Sequence, residues 1–417
     1  MRGGRNRRLG FTRRKRSERD VEELTLGNLG EQMGPTILLD KSTLQSLGKW
    51  EIYELMRYFL VTIPPTLLRE ILADLEKPAR KQACPSDEVR ILARKLSPLG
   101  GVAKVNVDFR PICVHELLGK SIPLDGVPIV GGVRRVRTSD GRRGVYLPPQ
   151  PEMDAVLRWG SSQFTDSDRA LAAQCRATLN SYDPDSLRRS LPPLVKSAKS
   201  LPEVNKDIEW ILNDREGQED FLRWLIALVS PESVHDVVEE WTFRRWESRG
   251  FEPLAEFAPY SRHCIKVTLL FNLAFANGLI NTTRSSWVDA EYLYYTPFAE
   301  IFTSGDQLHE KLVEFVLRKD QSFARRDKFV GDLQLLANQR KQAKSGQRPG
   351  MPEVDIEPEI GSCIHSLWTR HRGKMRPQAQ RRTLSEEERE RIAAEFRPIV
   401  DAIERDAKQV PERVWPG

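Results

Sequence analysis

The sequence predicts an α/β protein: three layers, with a parallel sheet between helices on both faces, interrupted by a mostly helical insertion. Two apolar runs carry this prediction. Thr36–Asp40 (TILLD) and Phe59–Ile63 (FLVTI) have the unbroken hydrophobicity of strands buried on both faces. A third observation is rhythm, because each run leads into a segment of helical spacing. Strand, helix, strand and helix thus fit between Thr36 and Pro78, as in a doubly wound unit.

Taken in order, TILLD ends on an acid, and Ser42 and Thr43 can cap the helix that follows. Trp50, Ile52, Tyr53, Leu55 and Met56 recur at helical spacing there. FLVTI is stopped by Pro64-Pro65. Leu67, Leu68, Ile71, Leu72 and Leu75 then line one face of a second helix. Val133–Thr138 and Arg142–Leu147 flank Asp140-Gly141 and read as a β-hairpin. From about 153 to 254 the chain reads as helical, with Trp210, Trp224, Trp241 and Trp246 as core anchors. Ile265–Ile280 is apolar nearly all round, as a helix packed on a sheet requires. Asp289 falls in the first turn of the next helix, and Phe298–Thr303 is a third strand, followed by Ser304-Gly305-Asp306. A long helix is expected from about His309 to Gln342. Ser385 and Glu388 form a capping box for a last helix.

The predicted organisation is a basic disordered arm (1–19), a first part of the α/β domain (35–80) and a mostly helical insertion (81–255) with its hairpin near 133–147. A second part of the domain (256–344) and a linker with a basic, helical tail (345–417) complete it.

Composition limits the function classes. Of 417 residues, 39% are hydrophobic and 30% charged, which suits a folded chain and not a disordered one. The first 19 residues hold nine cations against Glu18 alone, more charge than the net +6 of the whole chain. Arg370 to Arg382 adds six cations and no acid. The body is therefore mildly acidic, and the basic character belongs to its flanks. Such arms neutralise phosphates, which makes nucleic acid the expected partner, although an arm of this kind can also serve solubility alone. The hairpin adds Arg134, Arg135, Arg137, Arg142 and Arg143 as a candidate backbone grip.

Five scattered cysteines and the lack of an apolar stretch behind the basic start predict reduced thiols, no membrane and a cytoplasmic location. Cys363, His365 and His371 are too few for a zinc site. No phosphate-binding glycine loop is present.

In an open α/β sheet, ligands bind outside the carboxyl ends of the strands. Asp40 ends the first strand and Asp306 follows the third. Glu70 lies in the second turn of the helix after the second strand, and Asp289 opens the helix before the third. Four acids on one rim repel one another unless a hard cation joins them through oxygen ligands. Carboxylates suit Mg2+ or Mn2+ and not zinc, and such ions activate water for phosphodiester cleavage.

The segments ILLDKSTLQSL, LLREILADL and WVDAEYLYYTPFAEIFTSGDQLH resemble, in order and spacing, the acidic motifs of the PIN-like nuclease superfamily. The resemblance covers roughly 36–78 and 260–310. It implies a Rossmann-like PIN-type sheet and a metal-dependent ribonuclease or related nuclease. Asp40, Glu70, Asp289 and Asp306 would be its catalytic and metal-binding acids. Ser42, two residues after the first acid, and Ser304, two before the last, match positions often filled by small hydroxyl residues and are candidate substrate contacts. Arg262 and Lys266, one turn apart, are candidate phosphate contacts.

Each acid has a plainer reading. Asp40 can cap its helix. Glu70 can be a solvated acid paired with Lys77, with Asp74 able to share or replace its role. Asp289 suits a helix N-terminus, and Asp306 a turn, with Glu291 as the fallback ligand. Arg262 and Lys266 can form a solvated cation pair. His309 reads as structural or substrate-facing. The alternative to an enzyme is a PIN-like module that binds nucleic acid or a protein without cutting. A protein partner or inhibitor is a further expectation.

Overall fold

The computed structural model of the chain describes residues 34–78, 84–97, 104–131, 134–137, 143–146, 150–181, 198–281, 286–345 and 356–373, and the single positions 387, 390, 394 and 397. The expected basic arm, the Asp140-Gly141 turn, most of the linker after 345 and the tail helix expected after Ser385 lie outside these residues, as do the hairpin side chains.

A five-stranded parallel sheet organises the core. Its strands are β1 (Thr36–Leu39), β2 (Leu60–Ile63), β3 (Lys104–Val105), β6 (Ile301–Ser304) and β7 (Ser322–Arg325), in the order β3-β2-β1-β6-β7. Every neighbouring pair is parallel, with Ile37 opposite both Val61 and Ile301. The hairpin β4 (Arg134–Arg137) and β5 (Arg143–Tyr146) stands apart and is antiparallel. All four residues of β1 are buried, which is why TILL is apolar without alternation. The strand order reverses at β1: the chain first steps outward through β2 to β3, then returns to the other side of β1. Such a reversal opens a crevice at the carboxyl edge.

The helix Pro65–Leu72 starts with proline, whose missing N–H costs nothing there, and buries Thr66, Leu67, Leu68, Ile71 and Leu72. Arg69 and Glu70 are left half-buried on its other side. The helix Lys49–Tyr58 packs on the helix Arg326–Ser345. Glu54 and Arg340 tie the two together as a fully buried ion pair, with Arg340 Nη2 3.0 Å from Glu54 Oε2.

Several expectations need correction. The long helix from His309 to Gln342 is two helices, Gln307–Val316 and Arg326–Ser345, separated by β7. Gln321 fixes this break: its amide donates to the carbonyls of Thr296 and Ala299, 2.5 and 2.7 Å away. The third expected strand begins later, at Ile301, because Leu293–Phe298 forms a 3-10 turn around Pro297. The expected insertion supplies β3 and so belongs partly to the sheet.

Of the four tryptophans expected as core anchors, only Trp246 is one, at 3% exposure. Trp210, Trp224 and Trp241 are 71%, 39% and 58% exposed. Large apolar side chains had suggested burial, but these three sit on outer helix faces. No described helix is long and apolar enough to cross a membrane.

Candidate functional site

The carboxyl ends of β1 and β6 meet at the edge of the crevice. Asp40 follows β1 directly, and its N–H donates to Thr303 O at 3.3 Å. It caps the helix Lys41–Ser46, with the Thr43 N–H 2.7 Å from Oδ1. Two hydroxyls hold the other oxygen: Ser42 Oγ at 2.8 Å and Ser304 Oγ at 2.5 Å from Oδ2. The capping and site readings of Asp40 therefore coexist.

Asp306 stands two residues past β6 and caps the helix Gln307–Val316, its Oδ1 accepting from the Leu308 N–H at 2.6 Å. Its own N–H donates to Ser304 Oγ at 2.9 Å. Ser304 also meets His309 Nδ1 at 2.7 Å, while His309 Nε2 lies 2.6 Å from the Asp289 carbonyl. A carbonyl only accepts, so Nε2 carries a proton. His309 is completely buried and braces the Asp289 backbone against β6, the structural role expected for it.

Glu70 is gripped at both oxygens. The Tyr292 hydroxyl donates to Oε2 at 2.7 Å, and Lys41 Nζ lies 3.5 Å from Oε1. Lys41 is itself buried. It donates to the Glu70 carbonyl at 3.1 Å and pairs with Asp74 Oδ2 at 2.8 Å. Asp74 is paired again by Lys77, at 2.8 Å, so Lys77 serves Asp74 and not Glu70.

Asp289 differs from the others. Among the described residues, no hydrogen-bond donor or cation reaches its carboxyl. It is half-buried, with protein atoms crowding around its carboxyl. Its pKa is pushed up to about 8, first by this burial and then by the charges of Asp306, Glu70 and Asp40, with Lys41 pulling the other way. Hydrogen bonds bring the acids near one another: Tyr292 ties Glu70 to the helix of Asp289, and His309 ties the Asp289 carbonyl to Ser304, which meets Asp40 and Asp306.

The oxygens are nonetheless largely turned to internal hydrogen bonds. Among the described residues, no three Asp, Glu, His or Cys side chains lie so that together they could hold a metal ion. The acids and the two serines offer carboxylate and hydroxyl oxygens, with Lys41 and His309 among them.

The chain matches no protein-family model, no curated protein and no solved structure.

Other expected site residues sit elsewhere in the network. Ser304 is 2% exposed and engaged by Asp40, Asp306 and His309, so it orients acids and has no free face for substrate. Ser42 likewise donates to Asp40, and accepts from the Gly305 N–H at 3.2 Å. Arg262 and Lys266 are neither a solvated pair nor open to phosphate. Both bind Glu209 of the helix Leu201–Asn213, at 2.6 and 2.7 Å, joining it to the helix Pro259–Ala276. Glu291, the fallback ligand, is buried against Arg69 (2.7 Å) and Thr66 (3.1 Å), while Arg69 reaches Asp108 at 2.7 Å.

Two basic residues escaped the sequence reading. For Lys41 no local signal existed, because Glu70 and Asp74 lie about 30 positions away in the chain. The other is Arg326, at the carboxyl end of β7. A Cβ on Gly305 would lie 2.7 Å from its guanidinium, so the absence of a side chain lets Arg326 lie against the Gly305-Asp306 turn. Its partner is the neighbouring, exposed Asp327, at 2.9 Å.

Proposed function

We propose that the chain is a metal-dependent nuclease on a PIN-like three-layer sheet. It hydrolyses phosphodiester bonds, in RNA in preference to DNA, with Mg2+ or Mn2+ bound among Asp40, Glu70, Asp289 and Asp306. The observation that carries this reading is the Asp289 carboxyl, which no hydrogen-bond donor among the described residues reaches and which three other acids crowd, pushing its pKa to about 8. A protein that lacked a use for this arrangement would gain by replacing one of the acids, because like charges in a desolvated site repel. A bound divalent cation supplies the missing positive charge and activates water for attack on phosphorus.

The remaining residues have supporting tasks. Ser42 and Ser304 fix the rotamer of Asp40 through Oδ2, and His309 holds the Asp289 backbone. Arg326, beside the Gly305 turn, is suited to a substrate phosphate on the rim.

The test is cleavage of labelled single-stranded RNA and DNA by the full-length protein, with Mn2+ or Mg2+ and with chelator, beside Asp40→Asn. Cleavage that needs the metal and is lost in the variant supports the enzyme. A second reading, a binding module that does not cut, draws support from Asp40, whose oxygens are both already satisfied within the protein. Salt-sensitive RNA binding without cleavage, unaffected by Asp40→Asn, would favour it.

A further inference from the structure

We infer that the outer face formed by the helices Lys49–Tyr58 and Arg326–Ser345 binds single-stranded nucleic acid, with bases stacked on Trp50 and Tyr53 and phosphates paired with Lys341 and Lys344. This face shares none of these residues with the acidic crevice, and the inference stands whether or not the chain cuts. Trp50 and Tyr53 are one helical turn apart and half-buried, while Ile52, Glu54 and Leu55 of the same helix turn inward. Their rings meet edge to face, with centroids 6.4 Å apart. Lys341 and Lys344, also one turn apart, are exposed on the other helix. Lys344 Nζ lies 5.2 Å from the Trp50 ring centroid and 5.3 Å from that of Tyr53, and Lys341 Nζ lies 5.9 Å from Trp50. Arg57 approaches Tyr53 from its own helix, at 5.9 Å.

Packing alone does not ask for this arrangement. The two helices are already fastened by the buried Glu54–Arg340 pair and by Phe59 against Phe329, whose ring centroids are 5.4 Å apart. A lysine over an exposed ring adds only about 0.5–1 kcal/mol. Residues 49–58 and 338–345 hold five cations against Glu51 and Glu54, and Glu54 is spent on Arg340. The face therefore keeps an excess of positive charge, which a polyanion relieves as it releases its own counterions. The rings decide which polyanion fits. A chain of carboxylates offers nothing flat to stack, and a duplex keeps its base faces inside. A single strand presents base faces to aromatic rings and phosphates to amines along the same stretch.

The experiment is fluorescence anisotropy of labelled probes titrated with the full chain in chelator, so that metal-dependent cleavage plays no part and the outcome is independent of the nuclease reading. The probes are a single-stranded oligouridylate, an abasic strand of the same length and polyglutamate. Wild type, Trp50→Leu, Trp50→Phe and the double variant Lys341→Gln/Lys344→Gln are compared after circular dichroism has established folding. Wild type should prefer the oligouridylate to the abasic strand. Trp50→Leu should weaken oligouridylate binding by roughly 5- to 150-fold, keep the wild-type salt slope and bind the abasic strand as wild type does. Trp50→Phe, which keeps a ring, should stay within a few-fold of wild type. The lysine variant should weaken both strands and lower the log–log salt slope by about 1.4. Equal wild-type affinity for the two strands would overturn the inference, as would a Trp50→Leu variant that weakens both alike or a lysine variant that binds as wild type does. Polyglutamate bound as tightly as the oligouridylate would overturn it too and assign the face to an acidic protein. Should Trp50→Leu fail to fold, the abasic comparison and the lysine variant decide.

Discussion

Ser304 Oγ lies 2.5 Å from Asp40 Oδ2, joining the carboxyl ends of two adjacent parallel strands through one hydroxyl. The same oxygen meets the Asp306 N–H and His309 Nδ1. One buried atom therefore links two of the acids directly and a third, Asp289, through the imidazole. Ser304→Ala strands the Asp306 N–H and His309 Nδ1 in a dry setting, while Asp40 Oδ2 keeps its bond from Ser42. It should cost about 1–3 kcal/mol of stability in urea denaturation, the usual penalty for stranding buried polar partners. Unchanged stability would mean that the hydroxyl is dispensable and that the acids are held by the backbone alone.

Asp289 makes a prediction about pH. Its carboxyl ordinarily titrates near 3.8 and is raised to about 8 in the fold. Between those values the native state binds one proton more than the unfolded chain, so stability falls as pH rises through this window. The slope contributed by this group is at most about 1.4 kcal/mol per pH unit. Asp289→Asn removes that slope, and in chelator the variant should be the more stable protein at pH 8. Denaturation curves of both proteins from pH 4 to 9 check this, and parallel profiles would contradict it.

The Glu54–Arg340 pair is a separate matter of folding. Both side chains are fully inaccessible, so removing one partner strands a charge in the core. Glu54→Gln or Arg340→Met should each cost about 3–5 kcal/mol, with the double replacement by apolar residues far less harmful than the sum. A double-mutant cycle measures this. Additive losses would show that the two residues do not depend on each other.

Arg326 is the rim cation beside Gly305. On the nuclease reading, Arg326→Ala should raise KM with little change in kcat, as expected for loss of binding shared by ground and transition states. It should also reduce the log–log salt slope of RNA binding by about one. A fall in kcat at constant KM would place Arg326 in the chemistry instead.

Some of this architecture was legible in the sequence because the physics is local. TILL and LVTI are continuous apolar runs, and a buried parallel strand leaves no other pattern. Asp40 and Asp306 could be placed at one edge because strand ends in a parallel sheet face the same way. β7 was not legible: Ser322–Arg325 contributes only Phe323 and Ala324 as apolar residues, too few to register against the helical segments around it. Two-residue β3 has no periodicity to read. Trp210 and Trp241 misled because hydrophobicity reports what a side chain prefers, not which helix face meets the core. Lys41 was missed for a different reason. Its burial is decided by Glu70 and Asp74, about 30 positions away, and only the fold brings them together.

The central claim of the proposed function is that a divalent cation binds among Asp40, Asp289 and Asp306. Crystals of the full chain soaked in Mn2+, with data collected at the manganese absorption edge, test it most directly. The account predicts an anomalous peak among the carboxylates of Asp40, Asp289 and Asp306, absent from Asp289→Asn crystals treated identically. Manganese bound only at other positions, or no peak at all, would contradict it.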